Sequence, residues 1–378
     1  LGADGKLREP GWSDSLVLDY DRKAIASPRW RIKEWDYYCI LAGDEGLALT
    51  VADNGYMGLV SATVFDFSIP WETTDTIMTA FPMGSWGLPS SSRSGVTEAK
   101  APGISMRFEA SGGERRLLFS WPTFGTKAAP PPPRVSCCAP LTPEDLAAAR
   151  AASPTKGEPV KVGLEGEILL REPRRPGSAG ADPASLVIAT PFKKPKKAFY
   201  YNQKINCLSA EGAVRFGGIE HRLGASSGHP AFGVLDWGRG VWPWSNAWLW
   251  GSASGLARRG ADGGESFGFN IGYGFGDTSA ASENMVFYGG EAHKIGRLRI
   301  ELNERDFMKS WRAVSEDGRF DMTLEPILDR AATTDLGLLA SIQHQVFGDW
   351  KGYAILDDGS RVEVEGLRGF CEKVVNRW

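Results

Sequence analysis

Several stretches of the chain alternate apolar and polar residues. Leu298, Ile300 and Leu302 alternate with Arg297, Arg299 and Glu301. Phe320, Met322 and Leu324 alternate with Arg319, Asp321, Thr323 and Glu325, and Val362 and Val364 with Arg361, Glu363 and Glu365. A period of two marks strands with one wet face. Asn54-Gly55 and Asp357-Asp358-Gly359 sit between such runs and read as hairpin turns. Long helical patterns are scarce, so the pattern predicts an all-β chain built as an antiparallel sandwich or barrel. The stretch from about 125 to 182 departs from this texture. It carries Pro130 to Pro133 in a row and then Ala- and Gly-rich sequence, and it reads as a surface insertion with polyproline character. One helix is predicted inside it, capped by Thr142, with Pro143, Glu144 and Asp145 in its first turn and Leu146 to Ala152 continuing it.

The region from Ala231 to Asn284 is richest in candidate chemistry. On a strand, Phe232, Val234 and Asp236 point to one face, and a carboxylate on an apolar face needs a partner, a proton or a task. Trp242, Trp244, Asn246, Trp248 and Trp250 share parity, most safely the last pair, because Gly240 and Pro243 can bend the chain before it. Phe267, Phe269, Ile271, Tyr273 and Phe275 are expected on one face, backed by Gly268, Asn270, Gly272, Gly274 and Gly276. A bare glycine face admits either a bulky side chain or a ligand. Asp277 to Asn284, including Glu283, forms a polar cluster that reads equally as a capped turn or as the polar end of a pocket. Tyr200 to Asn206 and Gln343-His344-Gln345 are further polar clusters.

Composition narrows the function. The 378 residues are 42% hydrophobic and 24% charged, with 43 Lys plus Arg against 46 Asp plus Glu. The formal net charge of -3 argues against a nucleic-acid binder. No run of 18 apolar residues predicts a transmembrane segment, and Leu1 to Gly5 show no secretory pattern. Five irregularly spaced Cys argue against a disulfide framework and for a cytoplasmic location; Cys137-Cys138 reads as two exposed thiols. The four His show no metal-ligand spacing, no phosphate-binding loop occurs, and Gly272 to Gly276 lacks dinucleotide spacing, so neither metal nor cofactor is expected. Gly224-Ala225-Ser226-Ser227-Gly228 matches a nucleophile elbow in letters only, because no strand-to-helix context surrounds it.

Long strings carry a resemblance. Trp35 to Tyr38, Phe199 to Asn206, Val234 to Gly240, Asn270 to Asp277 and the C-terminal Asn376-Arg377-Trp378 resemble the bacterial family catalogued as domain of unknown function 2804. More distantly, Leu235-Asp236-Trp237-Gly238 followed by Trp248 to Gly251, with Trp350-Lys351-Gly352 and Gly369 to Glu372, is similar to a two-domain lipocalin-like group. That group contains carotenoid hydratases and fungal enzymes that shape polyketide rings. Its members usually carry His directly after the Asp, where this chain has Trp237. The resemblance implies two lipocalin-like antiparallel β-barrels with a Pro-rich, partly helical insertion. The first would span residues 1–290 and the second residues 291–378.

Three readings follow. In the first, the chain binds and converts a hydrophobic alkene-containing molecule of terpenoid, carotenoid or polyketide type by acid-catalysed hydration or cyclisation. Asp236, Arg239 and Glu283 are then the catalytic candidates. Tyr200, Asn202, Trp237, Trp248, Trp250, Asn270, Tyr273, Asp277 and His344 are the ligand-binding candidates. In the second, the same cavity serves a non-catalytic carrier or sensor of a hydrophobic small-molecule ligand. In the third, exposed Trp residues stack on sugars and paired carboxylates hydrolyse them. The sequence names no protein partner.

Overall fold

The computed structural model describes residues 1–126, 160–176, 183–257, 264–279, 281–335 and 340–377. Nearly all regular structure in these residues is β, with three short 3-10 turns at Arg22–Ala24, Arg29–Arg31 and Gly224–Ser227. The helix expected at Thr142 to Ala152 and the Cys137-Cys138 pair lie outside the described residues.

Among the described residues two large antiparallel sheets, of 13 and nine strands, make up most of the fold, and a two-stranded ribbon pairs Gly125–Thr126 with Val160–Lys161. Seven strands frame the space between them. They are β1 (Ile32–Ala42), β2 (Phe199–Phe216), β3 (Ala231–Val241), β4 (Ser245–Ala257), β5 (Glu265–Tyr273), β6 (Ala340–Ile355) and β7 (Arg361–Arg377). The centre of the first sheet runs β1-β3-β2, and the second runs β5-β4-β7-β6 through its middle. The chain passes from one sheet to the other between Val241 and Ser245. The division expected at residues 290/291 falls in the hairpin turn between Met285–Tyr288 and Glu291–Lys294, both strands of the second sheet.

Each sheet curls on itself into a half-barrel. Tyr38 on β1 meets Phe108 at 5.0 Å between ring centroids, although four strands separate theirs in the sheet. In the second sheet, Phe269 on β5 meets Phe320 at 5.1 Å and Trp350 on β6 at 5.2 Å. Expected turns hold the hairpins: Gly55 and Gly359 take φ of 79° and 81°, a left-handed geometry that costs glycine little. The expected strands at 320–325 and 362–364 form, and that at 298–302 forms as Leu298–Glu301, one residue short of Leu302.

The second sheet has a core of its own around Phe269, Trp311 and Trp350, and the two sheets also share one. The core of the first includes Trp250, Phe275, Phe347 and Phe370 from the second-sheet side, and Phe65 meets Phe347 at 4.5 Å. β2 is the physical stitch. At its bulge between Ile205 and Leu208, Cys207 takes φ of 58°. There the Asn206 amide donates to Ser252 Oγ at 2.8 Å and to the Phe269 carbonyl at 3.0 Å, both in the second sheet.

Candidate functional site

The facing surfaces of the two sheets bury a charged cluster. Strand parity puts Tyr200, Asn202 and Lys204 of β2 on the face that looks at the second sheet. The register pairs Lys204 with Asp236 on β3, and Asp236 in turn with Tyr37 on β1. Lys204 Nζ lies 2.8 Å from Asp236 Oδ1. It also donates to the Tyr200 hydroxyl at 3.4 Å and sits 4.2 Å from the centroid of the Trp250 ring. Asp236 accepts from Asn202 Nδ2 at 2.5 Å and from Trp35 Nε1 at 3.0 Å. Lys204 is 1% exposed and Asp236 8%.

Trp35 reaches Asp236 because its cross-strand neighbour is Gly238. A Cβ at Gly238 would lie 2.0 Å from Trp35 Cζ2, so the indole lies directly across that glycine. Glycine here serves close side-chain approach.

The second sheet brings two more carboxyl groups. Glu372 on β7 is the register partner of Trp250 on β4, and accepts from Trp248 Nε1 at 2.7 Å. Glu283, in the segment after β5, is fully buried. Trp250 Nε1 donates to Asn270 Oδ1 at 2.6 Å, and Asn270 Nδ2 donates to the Glu283 carbonyl at 2.8 Å. This chain of hydrogen bonds fixes the Glu283 backbone. Its carboxyl lies over Gly272, where a Cβ would be 3.4 Å from Oε2. Gly272, on the glycine face, is thus covered by the chain's own acid and by the Phe275 ring.

Three carboxyl groups therefore surround one buried ammonium. Lys204 contacts Asp236 directly, which leaves Glu283 and Glu372 less well compensated. Burial pushes Glu283 up to about 7, with Asp236 adding to the rise and Lys204, Tyr200 and Lys294 opposing it. Neither Glu283 oxygen meets a donor with hydrogen-bond geometry, although the Tyr200 hydroxyl is close enough to be felt. Burial also pushes Glu372 up to about 7, against the Trp248 hydrogen bond and Lys204. Buried carboxyl groups with too few counter-charges stay protonated near neutral pH. Aromatic rings close over the group. Tyr200 stacks on Phe275 at 5.2 Å and on Trp35 at 6.2 Å, and Trp248 meets Phe275 and Trp242, each at 5.6 Å.

Among the sequence candidates, the fold brings Asp236, Glu283, Tyr200, Asn202, Trp248, Trp250 and Asn270 together. Arg239 lies elsewhere. It is three residues from Asp236, hence on the opposite face, where it pairs with Asp36 at 3.0 Å and donates to the Trp35 and Pro89 carbonyls. Trp237 is on that face too, edge-on to Tyr20 and Tyr201, with Arg239 4.3 Å from its ring. Tyr273 packs against the second sheet's own core. Phe275 departs from the parity expected for it. Gly274 and Gly276, at φ of 103° and 86°, turn the chain, and Phe275 joins the rings between the sheets instead. Asp277 closes a turn, accepting from Ser279 N at 3.0 Å while its own N–H donates to the Pro191 carbonyl. His344 pairs with Asp329 at 2.7 Å and stacks on Phe307, away from the cluster. Trp244 is exposed.

Lys204, Glu372, Trp35, Tyr37 and Gln345 belong to the same neighbourhood without having been named as site candidates; Lys204 and Gln345 stood only within the polar clusters Tyr200 to Asn206 and Gln343 to Gln345. Gln345 Nε2 donates to the Tyr37 hydroxyl at 3.3 Å, and Tyr37 meets the Trp250 ring at 6.0 Å. The signal was present for Glu372. Phe370, Glu372 and Val374 alternate as Phe232, Val234 and Asp236 do, again placing a carboxylate on an apolar face.

A cavity of about 1180 Å³ opens at one end of the same interface. Its wall includes Leu41, Val64, Phe65, Phe216, Phe232 and Leu367. Its rim carries the Glu45–His221 pair at 2.9 Å and Arg368, which is held by Asp349 at 2.6 Å. Among the described residues no group of three or more His, Cys, Asp or Glu is arranged to hold a metal. No helix there is long and apolar enough to cross a membrane.

A family model described as a domain of unknown function (DUF2804) matches residues 1–130 and 150–378. No curated protein matches the sequence. Two solved structures are similar over nearly their whole length. One, provisionally assigned as AttH, is from Nitrosomonas europaea; it is 13% identical, has a TM-score of 0.46, and the match covers 96% of this chain and 98% of that one. The other is kievitone hydratase from Nectria haematococca, 10% identical, with a TM-score of 0.48 and coverage of 98% and 97%.

Proposed function

The chain belongs to the DUF2804 family, whose name assigns no chemistry, and we propose from the site itself that it acts as a general-acid enzyme on an apolar, alkene-containing small molecule. One observation carries this reading: Glu283 is fully buried beside the Tyr200 hydroxyl, has no cation in ion-pair contact among the described residues, and is pushed up to about 7. Native proteins pair nearly all their buried polar atoms, so a carboxyl left this way invites a functional explanation.

The chemistry balances with residues already in place. The neutral Glu283 carboxyl gives its proton to an alkene carbon and becomes a carboxylate. The carbocation forms beside the faces of Tyr200, Phe275 and Trp248, which stabilise positive charge. Water adds its oxygen to the cation and returns a proton to Glu283, which is hydration. Attack by a second double bond of the same molecule, followed by proton loss to Glu283, is cyclisation. Asp236 holds Lys204 in this scheme, and the pair helps set the charge that Glu283 feels. Asp236 thus changes from the acid expected in the sequence to a positioning residue, and Arg239 has no part.

The test begins with mass spectrometry of small molecules that co-purify with the protein. The alkene among them is then incubated with enzyme in D2O. Wild type should place one deuterium on carbon per turnover, and Glu283→Gln should lose at least a hundredfold in that rate. Deuterium transfer by Glu283→Gln at the wild-type rate would remove the proposal. The carrier reading is favoured by a different observation: the rings at the cluster pack on one another, while the cavity of about 1180 Å³ lies at the end of the interface. Its signature is a co-purifying compound that wild type leaves undeuterated.

A further inference from the structure

The cavity and the acid cluster lie on one line between the sheets. On β1, Leu41, Cys39 and Tyr37 follow at steps of two; on β3, Phe232, Val234 and Asp236 do the same. On β4 the steps are Ser254, Ser252 and Trp250, and on β7 they are Arg368, Phe370 and Glu372. In each set the first residue lines the cavity and the last belongs to the cluster. Same-face residues two apart are separated by roughly 6.5 Å along a strand. A single layer of side chains therefore divides the open cavity from Tyr37, Asp236, Trp250 and Glu372, with Glu283 beyond Trp250 over Gly272. That layer is Cys39, Val234, Ser252 and Phe370, and it encloses a small void of about 10 Å³. Phe370 is its bulkiest member, 4.8 Å from the Trp250 ring and 5.4 Å from Phe347.

We propose that the cavity is the binding site for the hydrocarbon body of an elongated amphiphile, and that Phe370 sets how far this body penetrates toward the cluster of Asp236, Trp250 and Glu372. The apolar wall takes the chain. The ionic rim at Glu45–His221 and Arg368 keeps a polar end group in water. The volume exceeds what a compact drug-sized ligand needs, which suits a long molecule. The assignment of the far end rests on the acid reading above; the cavity itself does not.

The experiment uses cis-parinaric acid, a fluorescent linear polyene carboxylic acid, titrated below its micellar concentration into the full chain. Saturable binding of one equivalent is expected. Phe232→Arg in the wall and Leu256→Arg at the mouth should each weaken it at least tenfold; Leu256 is 53% exposed, so the fold tolerates that change. Competition with saturated fatty acids of increasing length then reads the depth. Phe370→Ala should move the preferred length to longer acids, and Phe370→Leu should move it the same way by less. No saturable binding, or binding that both arginine variants leave intact, overturns the cavity assignment. An unchanged length preference in both Phe370 variants overturns the role of that ring. Probe binding needs no proton transfer, so these failures leave Glu283 standing. Deuterium transfer that survives in Glu283→Gln would remove the acid and leave the cavity in place.

Discussion

At the scale of single residues, the site is a problem of charge solved by protonation. Asp236 has an ammonium in contact, whereas Glu283 has only the Tyr200 hydroxyl beside it and, among the described residues, no cation in ion-pair contact. Its ordinary value is 4.5 and burial raises it to about 7. Between those values the folded chain holds a proton that the unfolded chain has released. Stability therefore falls as pH rises through that window, and the loss is complete above the folded value. The shift corresponds to an upper limit on the order of 3 kcal/mol. Urea unfolding at pH 5, 6, 7 and 8 should show a smaller decline for Glu283→Gln than for wild type; parallel declines would mean that Glu283 is charged throughout. Gly238 offers a steric test. A methyl group there meets the Trp35 indole, so Gly238→Ala should cost about 2 kcal/mol or more and weaken the Trp35–Asp236 hydrogen bond. Combining it with Trp35→Ala should relieve the clash, giving a double-mutant coupling well away from zero.

At the scale of elements, β2 and β3 decide the cluster through register. Lys204→Met leaves Asp236 buried without its counter-charge and should destabilise by about 3 to 5 kcal/mol. Lys204→Met with Asp236→Leu should recover most of that loss in denaturant unfolding, because an apolar pair fits an aromatic surround. If the double variant is as unstable as the single one, the pair is not the coupled unit described. Strand parity explains what could be read beforehand. Period-two alternation marked the strands at 298–302, 320–325 and 362–364, and a carboxylate on an apolar face pointed to Asp236. It also explains what could not. Parity holds along one strand but does not say which strand pairs with which, so Lys204, 32 residues before Asp236, had no visible partner. Arg239 and Trp237 were judged by nearness in sequence, although neighbours on a strand face opposite ways. Phe275 escaped its parity because two left-handed glycines flank it.

At the scale of the molecule, the two half-barrels share part of one core. Trp250, Phe275, Phe347 and Phe370 enter the first sheet's core, and Asn206 ties β2 to the second sheet. A shared core predicts a single unfolding transition. Far-ultraviolet circular dichroism and Trp emission should give coincident urea curves; two separated transitions would show that the sheets unfold apart. The interface between them holds both the open cavity and the buried acid, so function and cohesion depend on the same surfaces. With its value raised to about 7, Glu283 is held there as a carboxylic acid, not a carboxylate, at pH 6. Infrared difference spectroscopy of the protonated carboxyl stretch measures this directly. A band is expected at pH 6 that titrates away near pH 7 and is diminished in Glu283→Gln. A wild-type spectrum without that band at pH 6, or one that Glu283→Gln leaves unchanged, would contradict it.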